Sequence, residues 1–170
     1  SLWDDVSMIW VTALSLGYKN VYNLTREQLA NVRNRLLELN NQVHHYYSGG
    51  QDALEHIRAG EVVLLNSWFN PSVRLKQEDR HFKMIIPGEG AVGMFDSFLI
   101  SKKSANIEAA YRYINHQISA PTKQHMVRIT GLAPANMKAK ELLSDDEVAA
   151  LPLDEQHVIE RMILWDVMPR

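Results

Sequence analysis

The chain has 170 residues, 46% hydrophobic and 22% charged, a composition that supports a packed core and excludes intrinsic disorder. Its 18 basic and 20 acidic residues are interspersed and leave a net charge of −2, so no positive stripe follows a phosphate backbone or an anionic membrane surface, and nucleic acid is excluded as a partner. Cysteine is absent, which removes disulfides and thiol chemistry, and apolar stretches such as Ile9 to Leu16 fall far short of the roughly 20 residues of a membrane span.

Ser1 opens directly on Leu2-Trp3-Asp4-Asp5, with neither a basic nor an apolar leader segment, as an excised segment would. Asp4 or Asp5 caps a first helix on which Val6, Ile9, Trp10, Ala13 and Leu14 recur at three- and four-residue spacing, with Gly17 at its end. Thr25 and Gln28 form a capping box for a second helix with Leu29, Val32, Leu36 and Leu39 on its inner side. Val43 to Tyr47 reads as a strand, broken by Ser48-Gly49-Gly50; Gln51 to Ala59 reads as a helix ended by Gly60, and Val62 to Leu65 as a buried strand. Pro71 sits where a helix begins. Phe82 to Ile86 and Phe95 to Ser101 read as strands on either side of a glycine-rich loop.

Ser104 or Asn106 caps a helix whose Ile107, Ala110, Tyr111, Ile114 and Ile118 are expected to face inward. Three further helices follow, at Pro121 to Ile129, Met137 to Leu143 and Glu155 to Trp165, linked by Gly131-Leu132-Ala133-Pro134 and a polar stretch around Ser144-Asp145-Asp146. Alternating helices and strands predict an α/β fold, a small mixed sheet with helices on both faces, followed by a helical C-terminal segment.

Catalytic patterns do not hold up. Gly88-Glu89-Gly90-Ala91-Val92-Gly93 matches a dinucleotide fingerprint, but Met94 to Ile100 after it reads as strand where that fold requires a helix. His44 and His45 are adjacent on a strand, so their side chains point to opposite faces and do not close on one metal. The other histidines show no HExxH or HxH spacing, and no serine elbow or phosphate loop is present. The expectation is a non-enzymatic protein without metal or cofactor.

Three stretches point to ligand binding instead. Trp68 follows the strand Val62 to Leu65 and its continuation Asn66-Ser67, at the strand edge where α/β sheets receive ligands; a core tryptophan fits equally well. Phe95-Asp96-Ser97 sets a carboxylate in an apolar strand, where a cation would compensate it. Asp5, beside Asp4 and Trp3, either caps the first helix or joins an acid and aromatic pair.

These stretches resemble the second half of the bacterial periplasmic spermidine/putrescine-binding proteins of ABC importers. Trp3-Asp4-Asp5, Gly17-Tyr18, the segment from Gly60 to Trp68, Asp96 to Ser101, the helix Asn106 to Asn115 and Gly131 to Asn136 follow that family's pattern in order and spacing. The resemblance implies one lobe of a type II periplasmic-binding-protein fold over residues 1–130, with residues 131–170 returning to the other lobe. It implies a small cationic solute such as putrescine or spermidine, captured in the periplasm for the permease subunits of an importer. It assigns ligand contact to Asp96, Trp68, Asp5, Trp3 and Phe95, with carboxylates taking ammonium groups and aromatics packing on methylenes.

Met94, Met8 and Leu132 stand where that family has a tryptophan, a glutamate and a tyrosine. These departures support an alternative, a sensing or protein-interaction domain on the same scaffold. Ile159, Met162, Ile163, Leu164 and Trp165 would expose apolar surface without the other lobe, which makes a homodimer of this chain an expected partner state.

Overall fold

The computed structural model describes residues 1–3, 5–78, 82, 84–151 and 160–166, the side chains at 3, 70, 76 and 77 excepted. Strand β1 (Leu2–Trp3) leads into helix α1 (Ser7–Ser15), which ends in a hydrogen-bonded glycine turn. Gly17 at φ 82° donates its N–H to Leu14 O (2.8 Å) and Tyr18 N–H reaches Ala13 O (3.0 Å), so two carbonyls that a helix end leaves open are satisfied. Helix α2 (Arg26–Asn40) starts on the expected reciprocal cap: Gln28 N–H donates to Thr25 Oγ1 at 3.2 Å, and Thr25 N–H donates to Gln28 Oε1 at 2.9 Å.

These two helices make the first core. Trp10, Ala13 and Leu14 of α1 pack with Val21 and with Val32 of α2, and Tyr22 meets the Trp10 ring edge-on at 4.9 Å. On the inner side read for α2, Val32 is buried and Leu36 half-buried, but Leu29 is exposed. A second core joins Leu54 and Ile57 of α3 (Gly50–Arg58) to Leu75 of α4 (Phe69–Gln77) and to Val62.

The strands depart most from expectation. β2 is confined to Tyr46–Tyr47 and pairs in parallel with β1, Leu2 opposite Tyr46 and Trp3 opposite Tyr47. β3 (Ala91–Gly93) pairs in parallel with β4 (Met162–Leu164). Among the described residues the strands therefore form two separate two-stranded parallel sheets in place of one small mixed sheet. Val62 to Leu65 and Phe95 to Ser101 carry no ladder there. A strand exists only where a partner supplies its backbone bonds, and here Val63 and Leu99 stand 89% and 93% exposed. Residues 160–165 of the expected last helix contain β4, while 155–159 lie outside the described residues, as does part of the strand read at 82–86.

Helix α5 (Ile107–Gln117) forms as read but buries no residue, so the expected inward face is not covered by the described residues. Asn106 precedes it without the expected side-chain cap bond, and periodicity fixes which side is apolar without supplying a partner. Helix α6 (Ala120–Thr130) ends at Gly131, φ 70°, where an added Cβ would stand 2.9 Å from Val73 Cβ. Met137–Leu142 winds as a 3₁₀ helix, and the polar stretch read as a linker is a short helix, α7 (Asp145–Ala149), with its own capping box from Ser144 and Glu147.

Candidate ligand site

Acids and aromatics follow the C-terminal ends of the parallel strands, the edge at which α/β sheets present ligands. Asp5 comes just after β1, Asp96 three residues beyond the end of β3, and Trp165-Asp166 directly after β4. Trp165 links the end of β3 to Trp68 and to the core. Its N–H donates to Gly93 O at 2.8 Å, its ring stacks on Trp68 at 6.3 Å and 11°, and it meets Trp10 edge-on at 5.0 Å. Trp68 is thus half-buried in an aromatic row that runs down to the core Trp10, which agrees with the core reading of that tryptophan, while the strand it was expected to follow carries no ladder.

Asp96 and Phe95 lie on the unpaired stretch after β3, both exposed, and Asp96 forms no ion pair with a described residue. Asp5 is engaged locally, its Oδ1 accepting the Ser7 N–H at 2.7 Å, which is the capping role. The backbone of Trp3 pairs with Tyr47, while its side chain lies outside the described residues. Of the three departures, Met8 is buried in α1, whereas Met94 and Leu132 are exposed.

Beneath this edge Tyr47 is 2% exposed and donates its hydroxyl to Asn66 O, in the segment that leads to Trp68. Burial pushes its phenol up to about 12, so it remains a neutral donor. The Tyr22 hydroxyl is buried without a hydrogen-bond partner among the described residues, and desolvation, followed by the nearby Asp166 charge, raises its pKa.

The sequence matches the family described as bacterial extracellular solute-binding protein over residues 2–154. The chain belongs to that family. A relative named spermidine/putrescine-binding periplasmic protein 1, from Haemophilus influenzae, is 33% identical over 86 residues, covering 50% of this chain and 24% of the relative. The structure of the Atu4243-GABA receptor superposes with a TM-score of 0.72 at 21% identity, over 96% of this chain and 49% of the receptor, so the two share a fold over that span. The chain therefore spans about half of that structure and about a quarter of the curated relative.

Two features of this solute-binding chain escaped sequence reasoning. Trp165 and Asp166 were hidden because Glu155 to Trp165 carries helical spacing, and only the β3–β4 ladder brings them to the site. The second is a cluster at the start of α3. His44 is exposed and His45 half-buried, both outside β2, so strand alternation does not apply to them; His45 Nε2 lies 3.3 Å from Asp52 Oδ2 and His56 Nε2 lies 3.4 Å from Asp52 Oδ1. The helix read over 51–59 already held the signal, since Asp52 and His56 stand four residues apart on one face.

Proposed function

We propose that this chain is the ligand-holding lobe of a binding protein that delivers a small cationic amine, putrescine or spermidine in kind, to the permease of an ABC importer. The observation that carries the reading is an exposed carboxylate, Asp96, with no ion pair among the described residues, beside an exposed Phe95 just past the end of β3. An ammonium group there exchanges its water for a charge-assisted hydrogen bond, and the Trp68–Trp165 stack offers ring faces worth about 0.5–2 kcal/mol each to a cation. Asp5 serves as a second acid at the start of α1, with Trp3 beside it. The name of the Haemophilus influenzae relative supports the amine. Periplasmic residence, a two-lobed full protein and a return of residues 131–170 to the other lobe belong to the same reading.

Exposed Phe98, Leu99 and Leu132 favour a second reading, a protein-contact or sensing domain on this scaffold, since such apolar groups suit a partner surface better than a polyamine. Calorimetric titration of the full protein with putrescine and with spermidine at low salt separates the two. Saturable binding that Asp96→Asn weakens at least about tenfold is the expected outcome. Absence of heat with both amines, or equal affinity in the variant, overturns the amine reading.

A further inference from the structure

We infer that His45, Asp52 and His56 form a binding site for a divalent first-row transition ion, with Zn²⁺ the ion that best fits the donors. One ligand atom from each lies within 4.8 Å of the other two. Both imidazoles offer Nε2 to the same carboxylate, at 3.3 and 3.4 Å. With zinc bonds of about 2.0–2.1 Å to nitrogen and oxygen, the edge of a tetrahedral ligand set is about 3.3 Å; each imidazole already stands at that distance from one Asp52 oxygen, His45 from Oδ2 and His56 from Oδ1, and an ion would draw the two nitrogens together about the carboxylate. The two ring centroids lie 3.9 Å apart with the ring planes tilted by 39°.

The supports resemble those of a built metal site. Asp52 and His56 are one turn apart on α3, and His45 is held by the strand: its carbonyl accepts the Leu2 N–H at 3.2 Å and Tyr46–Tyr47 follows in β2. The other nitrogen of His56, Nδ1, lies 2.6 Å from Glu61 Oε2. A carboxylate on the far nitrogen of a ligating histidine fixes its tautomer and raises its basicity. Glu61 is positioned by Gly60, whose φ of 76° turns the chain out of α3. Side chains that are 26–40% exposed leave a fourth position for water. Two imidazoles and one carboxylate favour Zn²⁺ and its neighbours over Mg²⁺ or Ca²⁺, which take all-oxygen shells.

A bound ion would clip β2, the first turns of α3 and the segment after Gly60 into one unit. That segment runs on to Asn66 and Trp68, so the clip steadies the ligand edge without touching the ligand. This inference stands independently of the amine reading.

The test is calorimetric titration of the metal-free full chain with ZnCl₂, followed by Co²⁺ absorption as a report of coordination. One ion per chain in the micromolar range or tighter is expected. His45→Gln and His56→Ala should each weaken it by about 100-fold, and Glu61→Gln by about tenfold, the usual effect of an outer-shell partner, with circular dichroism checking that each variant is folded. Absence of stoichiometric binding, or binding that the folded His45→Gln and His56→Ala variants leave unchanged, overturns the site; in that case the cluster is an imidazole–carboxylate network alone.

Discussion

The layer around α1 and α2 and the layer from α5 to α7 are held together by different physics. In the first, α1 buries Met8, Trp10, Thr12, Ala13 and Leu14, and Trp10 is the largest fully buried side chain. In the second, among the described residues, α5 and α7 bury nothing, and burial is limited to small or isolated groups, Val127 of α6, Ala139 of the 3₁₀ helix and Leu151 after α7. Polar surface contacts add to it. Arg128 grips Glu147 through two bonds of 2.6 and 3.2 Å, Gln124 donates to Leu142 O, and Asn136 Nδ2 donates to Ile118 O at 2.8 Å. Amphipathic spacing alone does not distinguish the two cases, because a stripe of apolar residues states what a helix prefers and not whether a neighbour is present.

The contrast can be broken experimentally. Trp10→Ala should cost about 3–5 kcal/mol in chemical denaturation, the usual range for a large aromatic lost from a packed core; a loss below 1 kcal/mol would show that the first layer is not the stabilising one. Glu147→Gln should cost less, about 0.5–1 kcal/mol at neutral pH, as for an exposed ion pair. Arg128, and then the Ser144 amide, hold the Glu147 carboxyl down at about 2. The stabilisation is therefore fully present above the ordinary glutamate range and is lost as pH falls toward 2. Urea melts of the two proteins should differ at pH 7 and converge near pH 2. Tyr111→Ser, on the exposed face of α5, should change stability by less than about 0.5 kcal/mol. A larger loss in the same melts would mean that this face is covered in solution.

Local codes were legible in the sequence and long-range ones were not. The capping box of Thr25 and Gln28 and the glycine turn at Gly17 were readable because each involves residues within one turn. The Gly88 to Gly93 fingerprint was rightly set aside: a turn at Gly88-Glu89 leads into β3, and no helix follows at 94–100. β4 was read as helix because a short apolar run fits either period and its identity depends on pairing with Ala91–Gly93, far away in the chain. Asp96 and Trp68 could be chosen by residue type and position, yet Trp165 joined the site only through a ladder the sequence does not announce. His45 was judged against His44 beside it, when its real neighbours were one helix further on.

The parallel pairing of β3 with β4 also bears on the order in which the molecule opens and closes. Ala91 meets Met162, so the ladder closes a long loop before it returns any contact energy, and it is only three residues long on each side. The α1 helix closes within its own sequence. The amides of Ala91 and Trp165, bonded across that ladder, are then among the first to open to solvent exchange, while those of α1 persist to the limit of global unfolding. Since Trp165 backs Trp68, the proposed ligand edge is expected to assemble last and to exchange before the amides of α1.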